Sequence, residues 1–387
     1  MAEVSFYESF LIPQLRKLKG LYPHLRETYR LSKRAALEIA RWIFQKCSRF
    51  GPPTGSFSCA ELVRNKKIDG EIVMEGQNVP AAPSNSMRVK SGTGQDGHQP
   101  WPVFWSHHFN ARLIGQTLVI LDAQKRASIE GMYDYHKDSD LAYRSLFRRK
   151  AVHLEGNWTS IISHWCLGGS YYHWLMDGIT RLALLPKLPP DTRVLVPAKL
   201  RPYEWDTLRW LGLENRLRLT PEHHLVIENF YFSSPLAMTG CCNPYGIEFL
   251  RSSFLPHADQ TFQPGEKLYL IRKGKTRGIL NESEVIDFLT KTGWTVLDPE
   301  ELSLAQQISA FSNARAICGS HGSALTNLAW CRSDCFVLEL FPEPFLNGCY
   351  DAISACIGLD YHYLICKSDS AFRMNVDLES LASALPK

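Results

Sequence analysis

The sequence predicts an α/β protein of two layered domains behind a short helical and β lead-in. Three observations carry this prediction. From Leu268 to Cys366 short apolar runs alternate with stretches of helical spacing. The same alternation, less regular, runs from Asn157 to Ser233. Between the two, Pro256–Gly265 collects Pro, Asp and Gly and marks a boundary. The implied division is residues 1–50 as a basic helical segment, 51–255 as a first domain with its β lead-in, and 256–387 as a second domain. Strands that alternate with helices imply parallel sheets with right-handed crossovers, and such sheets bind ligands at the carboxyl ends of their strands.

Thr28–Gln45 has helical spacing, with Leu31, Ala35, Ile39, Trp42 and Ile43 on one side and Arg30, Lys33, Arg34 and Arg41 on the other. Across residues 13–49 ten Lys and Arg face two Glu, a net charge of +8. Such a helix either packs on the protein body with a solvated basic face or rests on an anionic membrane surface. Gly51–Gly55 breaks the chain, and Val79–Pro102 is a long loop rich in Pro, Ser, Gly and Asn. Glu71–Met74, Ala111–Ile114 and Thr117–Leu121 are strand-like, as are Asn157–Ser163, Thr192–Val196 and Asn229–Ser233. Helices are expected at Tyr171–Leu185, Tyr203–Leu211 and Pro244–Phe254. In the second domain strands Leu268–Arg272, Trp294–Leu297, Ala316–Cys318, Cys335–Leu340 and Tyr361–Cys366 alternate with helices Ser283–Thr292, Leu304–Ser312, Ser323–Trp330 and Leu346–Ile357.

Composition narrows the class. The chain has 387 residues, 45% hydrophobic and 21% charged, a globular balance with room for two cores. A net charge of +4 does not call for nucleic acid. Eleven cysteines are scattered with no Cys-x-x-Cys, which is neither a disulfide framework nor a zinc set and points to reduced thiols in a cytosolic compartment. The N-terminus lacks the continuous apolar core of a signal peptide, and no apolar run is long enough to span a bilayer. The expected location is cytoplasmic, with peripheral membrane contact open through residues 11–50.

Candidate site residues fall in three stretches. Around Ala316–Asn327, a buried strand runs into the turn Gly319-Ser320-His321-Gly322 and then a helix from Ser323 through Ala324, Leu325, Thr326 and Asn327. Free backbone N–H groups and a positive dipole end suit a phosphate there, with His321 as an added donor. Arg272, Lys273, Lys275 and Arg277 also follow a strand's carboxyl end, so they share that rim. Glu339 stands in an apolar strand and needs a partner, which a ribose hydroxyl pair or a salt bridge would supply. On Tyr171–Leu185, His173, Asp177 and Arg181 are spaced to share one face, an arrangement suited to a general base near a helix N-terminus. Asp138-Ser139-Asp140 is an Asp-x-Asp, but it follows a polar, turn-like stretch rather than an apolar strand, and it is taken as a solvated loop.

The order and spacing of Tyr171-Tyr172-His173-Trp174-Leu175-Met176-Asp177, of Arg272 to Asn281-Glu282, and of Gly319-Ser320-His321-Gly322-Ser323-Ala324-Leu325-Thr326-Asn327 before Val337-Leu338-Glu339-Leu340 resemble the signature of the family-61 glycosyltransferases. The resemblance covers about Trp158 to Cys366. It implies a GT-B-like fold of two Rossmann-like domains and an inverting transfer with no obligatory metal and no cofactor beyond a nucleotide-sugar co-substrate, a UDP-sugar first. By the match Asp177 with His173 falls on the catalytic helix; Asp177, where the resemblance puts a carboxylate, is the expected base, and His173, with Asp177 fixing its tautomer, is the alternative that the sequence leaves open. Arg272, Arg277, His321 and the Ser323–Asn327 helix start fall on the donor side. The acceptor implied is a surface, capsular or lipopolysaccharide glycan or glycolipid. Ser323 stands where a Gly is commoner, and the basic N-terminal stretch departs from the pattern. Two rivals stay open: a non-catalytic nucleotide- or sugar-binding protein of the same fold, and a metal-dependent transferase using Asp138 and Asp140.

Overall fold

A computed structural model describes residues 56–75, 102–132 and 151–386, except 116, 125, 168, 223, 274, 275 and 344. The basic helix expected at Thr28–Gln45, the Asp138-Ser139-Asp140 stretch and most of the long loop from Val79 lie outside the described residues. The described residues belong to one compact unit, Gly55–Lys387, of mixed α/β structure with two sheets.

The first sheet contains β1 (Ser56–Phe57), β2 (Gly70–Met74), β3 (Val103–Ile114), β4 (Val119–Leu121), β5 (Ala127–Ser128), β6 (Val152–Ser160), β7 (Arg193–Pro197), β8 (Leu217–Thr220) and β9 (His224–Ser233). Its order is β1-β5-β4-β3-β9-β6-β7-β8, with β2 also paired to β3. The half made by β9, β6, β7 and β8 is parallel, and β3 joins it antiparallel to β9. The strand expected at Ala111–Ile114 is the end of the much longer β3. Ser106, His107, His108 and Asn110 interrupt its apolar pattern, but pairing with β9 runs from Trp105 to Ile114 and cross-strand contacts override composition.

The second sheet contains β10 (Lys267–Leu270), β11 (Thr295–Leu297), β12 (Ala316–Ser320), β13 (Phe336–Pro342), β14 (Asp360–Ser368) and β15 (Met374–Asn375), in the order β11-β10-β12-β13-β14-β15. All are parallel except β15. The chain steps from β10 outward to β11, then returns past β10 to β12. The direction of winding reverses between β10 and β12, and the crevice at such a point, outside the carboxyl ends of the strands, is where ligands bind.

The longer helices are α1 (Pro202–Trp210), α2 (Pro244–Phe254), α3 (Glu282–Lys291), α4 (Leu304–Asn313) and α5 (Cys349–Ile357). One buried cluster draws on both halves of the chain, with Trp174, Leu250 and Phe254 packed in the same core as Ile308, Trp330 and Ile353. Separate apolar clusters fill the first sheet around Phe104, Leu113 and Phe230, and the far face of the second around Tyr269, Leu289 and Leu338. Polar bonds tie the halves as well. The Tyr171 hydroxyl donates to Asn327 Oδ1 at 2.8 Å, and Arg251 Nη1 donates to the carbonyls of Ala329 and Cys331, each at 2.7 Å.

Two expected helices differ in kind. Tyr171–Lys187 is helical throughout, but it opens as one α turn, becomes a π turn over Trp174–Gly178, and tightens to 3-10 over Ile179–Lys187. Ser323–Trp330 is a 3-10 helix that begins at Ser323 as expected, with Gly322 before it and no side-chain cap. Among the described residues no helix is long and apolar enough to cross a membrane.

Candidate functional site

Gly169, in the left-handed region at φ 67°, turns the chain after β6 into the Tyr171–Lys187 segment. The first α turn and the π turn together bring His173 Nδ1 to 2.6 Å from Asp177 Oδ2. Thr239 donates its hydroxyl to the same Oδ2 at 2.8 Å and lies 3.3 Å from His173 Nδ1. Trp165 stacks on the imidazole at 4.9 Å, and Tyr172 meets it edge-on at 5.2 Å. The Asp177 side chain is 6% exposed and that of His173 22%. An ionised Asp177 accepts from Nδ1–H, which fixes the tautomer and leaves Nε2 as the basic nitrogen.

Arg181, expected on this face, is buried and anchored to the first sheet. Arg181 Nε and Nη2 donate to the Ser233 carbonyl at 2.9 and 2.7 Å, and its guanidinium lies over the Phe232 ring. Arg181 and Asp177 also line one small cavity with Glu130, Ser160 and Ser163.

The second cluster forms where the winding reverses. Leu270 of β10 pairs with Gly319 of β12, so the segments after them lie side by side. Arg272 packs on the Gly322 turn so closely that a Cβ on Gly322 would come within 2.0 Å of Nη1. Burial, then the charge of Arg277, lower the Arg272 pKa. Arg277 sits 5.1 Å over the Phe345 ring, held at φ 61°. Lys273, on the same rim, is bound to Asp298 and Glu301. Among the described residues no salt bridge ties Arg272 or Arg277 to a carboxylate. Lys275 lies outside the described residues.

His321 is buried among Phe341, Phe345 and Tyr350, with ring centroids 5.0 to 5.3 Å away. Its Nδ1 lies 2.5 Å from Glu339 Oε1, and Tyr361 donates to the other oxygen, Oε2. Glu339 is fully buried with both oxygens held by protein side chains, so of the two partners expected for it the protein one is present, and it orients His321. The two histidine–carboxylate pairs are linked through Tyr172 and Tyr350, whose rings meet edge-on at 5.8 Å. Tyr172 is thus a packing residue between them.

Several other expected contacts are structural. Asn327 is buried, accepts from Tyr171 and Trp330 and donates to Gln307, so its amide faces the core and not a donor. Leu325 and Thr326 are buried beside it, with Ala324 half-buried. Asn281 exchanges two bonds with the backbone of Val376. Glu282 accepts from Tyr269 and from the Arg272 backbone, and burial raises its pKa. Gly319 and Ser320 complete β12, so the turn itself is His321-Gly322. Sequence reasoning missed Thr239, Tyr350 and Tyr361. For Tyr361 there was a signal, since a carboxylate at the centre of an apolar strand requires partners. For Thr239 there was none.

Residues 171–338 match the sequence model of the family described as Glycosyltransferase 61, the family that the ordered motifs resemble. A comparison with curated proteins finds no match.

Proposed function

With a glycosyltransferase-61 domain across residues 171–338 as the premise, we propose that this protein moves a sugar from a nucleotide-sugar, a UDP-sugar first, to a hydroxyl of a surface, capsular or lipopolysaccharide glycan. Members of that family are glycosyltransferases; the donor, the acceptor and the mechanism are our reading. The observation that carries it is the Arg272–Arg277 pair. The Arg272 guanidinium packs against the His321-Gly322 turn, and burial and then the charge of Arg277 lower its pKa. Neighbouring Lys273 has carboxylate partners there, and among the described residues the two arginines have no such salt bridge. A diphosphate would neutralise both with charge-assisted bonds. In this reading residues 256–387 are the donor side and 51–255 the acceptor side of a GT-B-like pair of Rossmann-like domains.

The chemistry is a single displacement with inversion. The acceptor oxygen bonds to the anomeric carbon as the bond from that carbon to the diphosphate oxygen breaks. The acceptor proton passes to Nε2 of His173, with Asp177 and Thr239 holding Nδ1–H in place. The leaving diphosphate carries its charge onto Arg272 and Arg277, so no metal or other cofactor is required. The greater exposure of His173 supports it as the base and Asp177 as its orienting partner.

A hydrolysis screen over a panel of nucleotide-sugars identifies the donor. His173→Gln and Asp177→Asn should then each lower turnover by roughly two to four orders of magnitude, with nucleotide affinity nearly unchanged. Near-normal turnover in His173→Gln alongside a crippled Asp177→Asn would pass the base role to Asp177. Near-normal turnover in both would remove the pair from the mechanism. Turnover should survive excess chelator; loss restored by manganese would promote Asp138 and Asp140.

A further inference from the structure

The rim of the second sheet carries an aromatic strip beyond the arginine pair. Phe345 follows β13 and Phe372 follows β14, with ring centroids 6.4 Å apart. Phe345 lies 5.3 Å from the His321 ring and under the Arg277 guanidinium. Phe372, at the outer end, is 40% exposed, and Leu280 nearby is 51% exposed. Arg272, His321, Phe345 and Phe372 therefore follow the ends of four strands adjacent in the sheet, β10, β12, β13 and β14.

The strip is held in place at conformational cost. Arg277 at φ 61° and Phe372 at φ 60° both occupy the left-handed region, which disfavours bulky side chains. The segment 276–281 crosses from β10 to β15. Met374 N donates to the Gly278 carbonyl and Leu280 N to the Met374 carbonyl, and two hydrogen bonds join Asn281 to Val376. The Phe372 turn is closed by Asp369, which accepts from the Ala371 and Arg373 amides and from Arg373 Nε.

We propose that Phe345 and Phe372 form the subsite for the nucleobase of the donor. This rests on reading Arg272 and Arg277 as the diphosphate site. A nucleoside diphosphate has a charged end and a flat apolar end, and the rim offers guanidinium groups and then ring faces in that order. Stacking on a ring is the way proteins hold a base without reading its edges. The His173 pair is reached from His321 through Tyr350, not through Phe345, so the base and the transferred sugar run along different neighbours.

Calorimetry on the full chain tests the assignment, with UDP, GDP, ADP, CDP and inorganic pyrophosphate as separate probes. Phe372→Gly removes the ring and suits the left-handed backbone, so its melting temperature should equal or exceed that of the wild type. Its affinity for the preferred nucleoside diphosphate should fall about tenfold, the effect of a lost base–aromatic stack, while pyrophosphate binds as before. Phe372→Trp should restore the loss. Unchanged nucleotide affinity in Phe372→Gly overturns the subsite, as does an equal loss with pyrophosphate. Wild-type protein that binds pyrophosphate as tightly as every nucleotide also overturns it, leaving the diphosphate site intact. If the wild type binds none of the five probes, the diphosphate reading falls, and the base subsite with it.

Discussion

Gly322 shows how much of the proposed donor site depends on the absence of one methyl group. Its φ of 176° is extended and open to any residue, so backbone conformation does not demand glycine there. Space does: a Cβ would meet Arg272 Nη1 at 2.0 Å. Gly322→Ala should therefore push the guanidinium aside while leaving the backbone in place. The expected outcome is a loss of roughly 1–3 kcal/mol in nucleoside diphosphate affinity, that of a charge-assisted bond, with little change in stability. Calorimetry beside a denaturant titration checks both halves. Glu339 gives the complementary lesson at the same scale. Its place in an apolar strand is visible in the sequence and requires a partner. Whether that partner is a ligand or His321 and Tyr361 depends on side chains 18 and 22 residues away in the chain.

At the scale of the element, the Tyr171–Lys187 segment, which carries the proposed base, is not a uniform helix. Its π turn spans Trp174–Gly178 and includes Asp177, and π turns are frequent at functional sites. Gly178 lets this turn pack on Cys166: a Cβ there would come within 2.8 Å of Sγ. That thiol donates to the His173 carbonyl at 3.2 Å, so a displacement would pass to His173 itself. Gly178→Ala should cost about 1–3 kcal/mol of stability, as overpacking does, and lower turnover while nucleotide affinity holds. Urea unfolding and steady-state kinetics decide it; a variant as stable and active as wild type would show that the turn tolerates the methyl. The spacing of His173 and Asp177 foretells their contact because i, i+4 neighbours meet in α and π windings alike. Arg181, a further four residues on, lines a cavity with Asp177 and is anchored to the Ser233 carbonyl.

At the scale of the molecule, the two sheets share a buried core, and the two histidine–carboxylate clusters meet through Tyr172 and Tyr350 beside it. Arg251 on α2 is a main fastener, satisfying two carbonyls at the end of the Ser323–Trp330 helix. Arg251→Met leaves both without their donor, at about 1–3 kcal/mol each. If the sheets unfold as one cooperative unit, hydrogen exchange in β7 and in β12 should report the same global opening energy, and the variant should lower both together. Protection lost in only one of them would mean that the sheets open independently.

The sequence by itself determined where strands and helices alternate, because hydrophobic periodicity reports which faces are buried. It determined the parallel second sheet, the helix Pro244–Phe254 and the pairing of His173 with Asp177, since these depend on near neighbours in the chain. The family resemblance was legible too, as it lies in the order of local motifs. Only the tertiary structure decided which partners those motif residues meet. Asn327 and Glu339 look like ligand contacts in a linear string, yet each is saturated by residues from other elements. Thr239 and Tyr350 carry no local mark at all. Their contacts join elements distant in sequence, and hydrogen-bond satisfaction is settled by what lies across that space, not by what lies next along the chain.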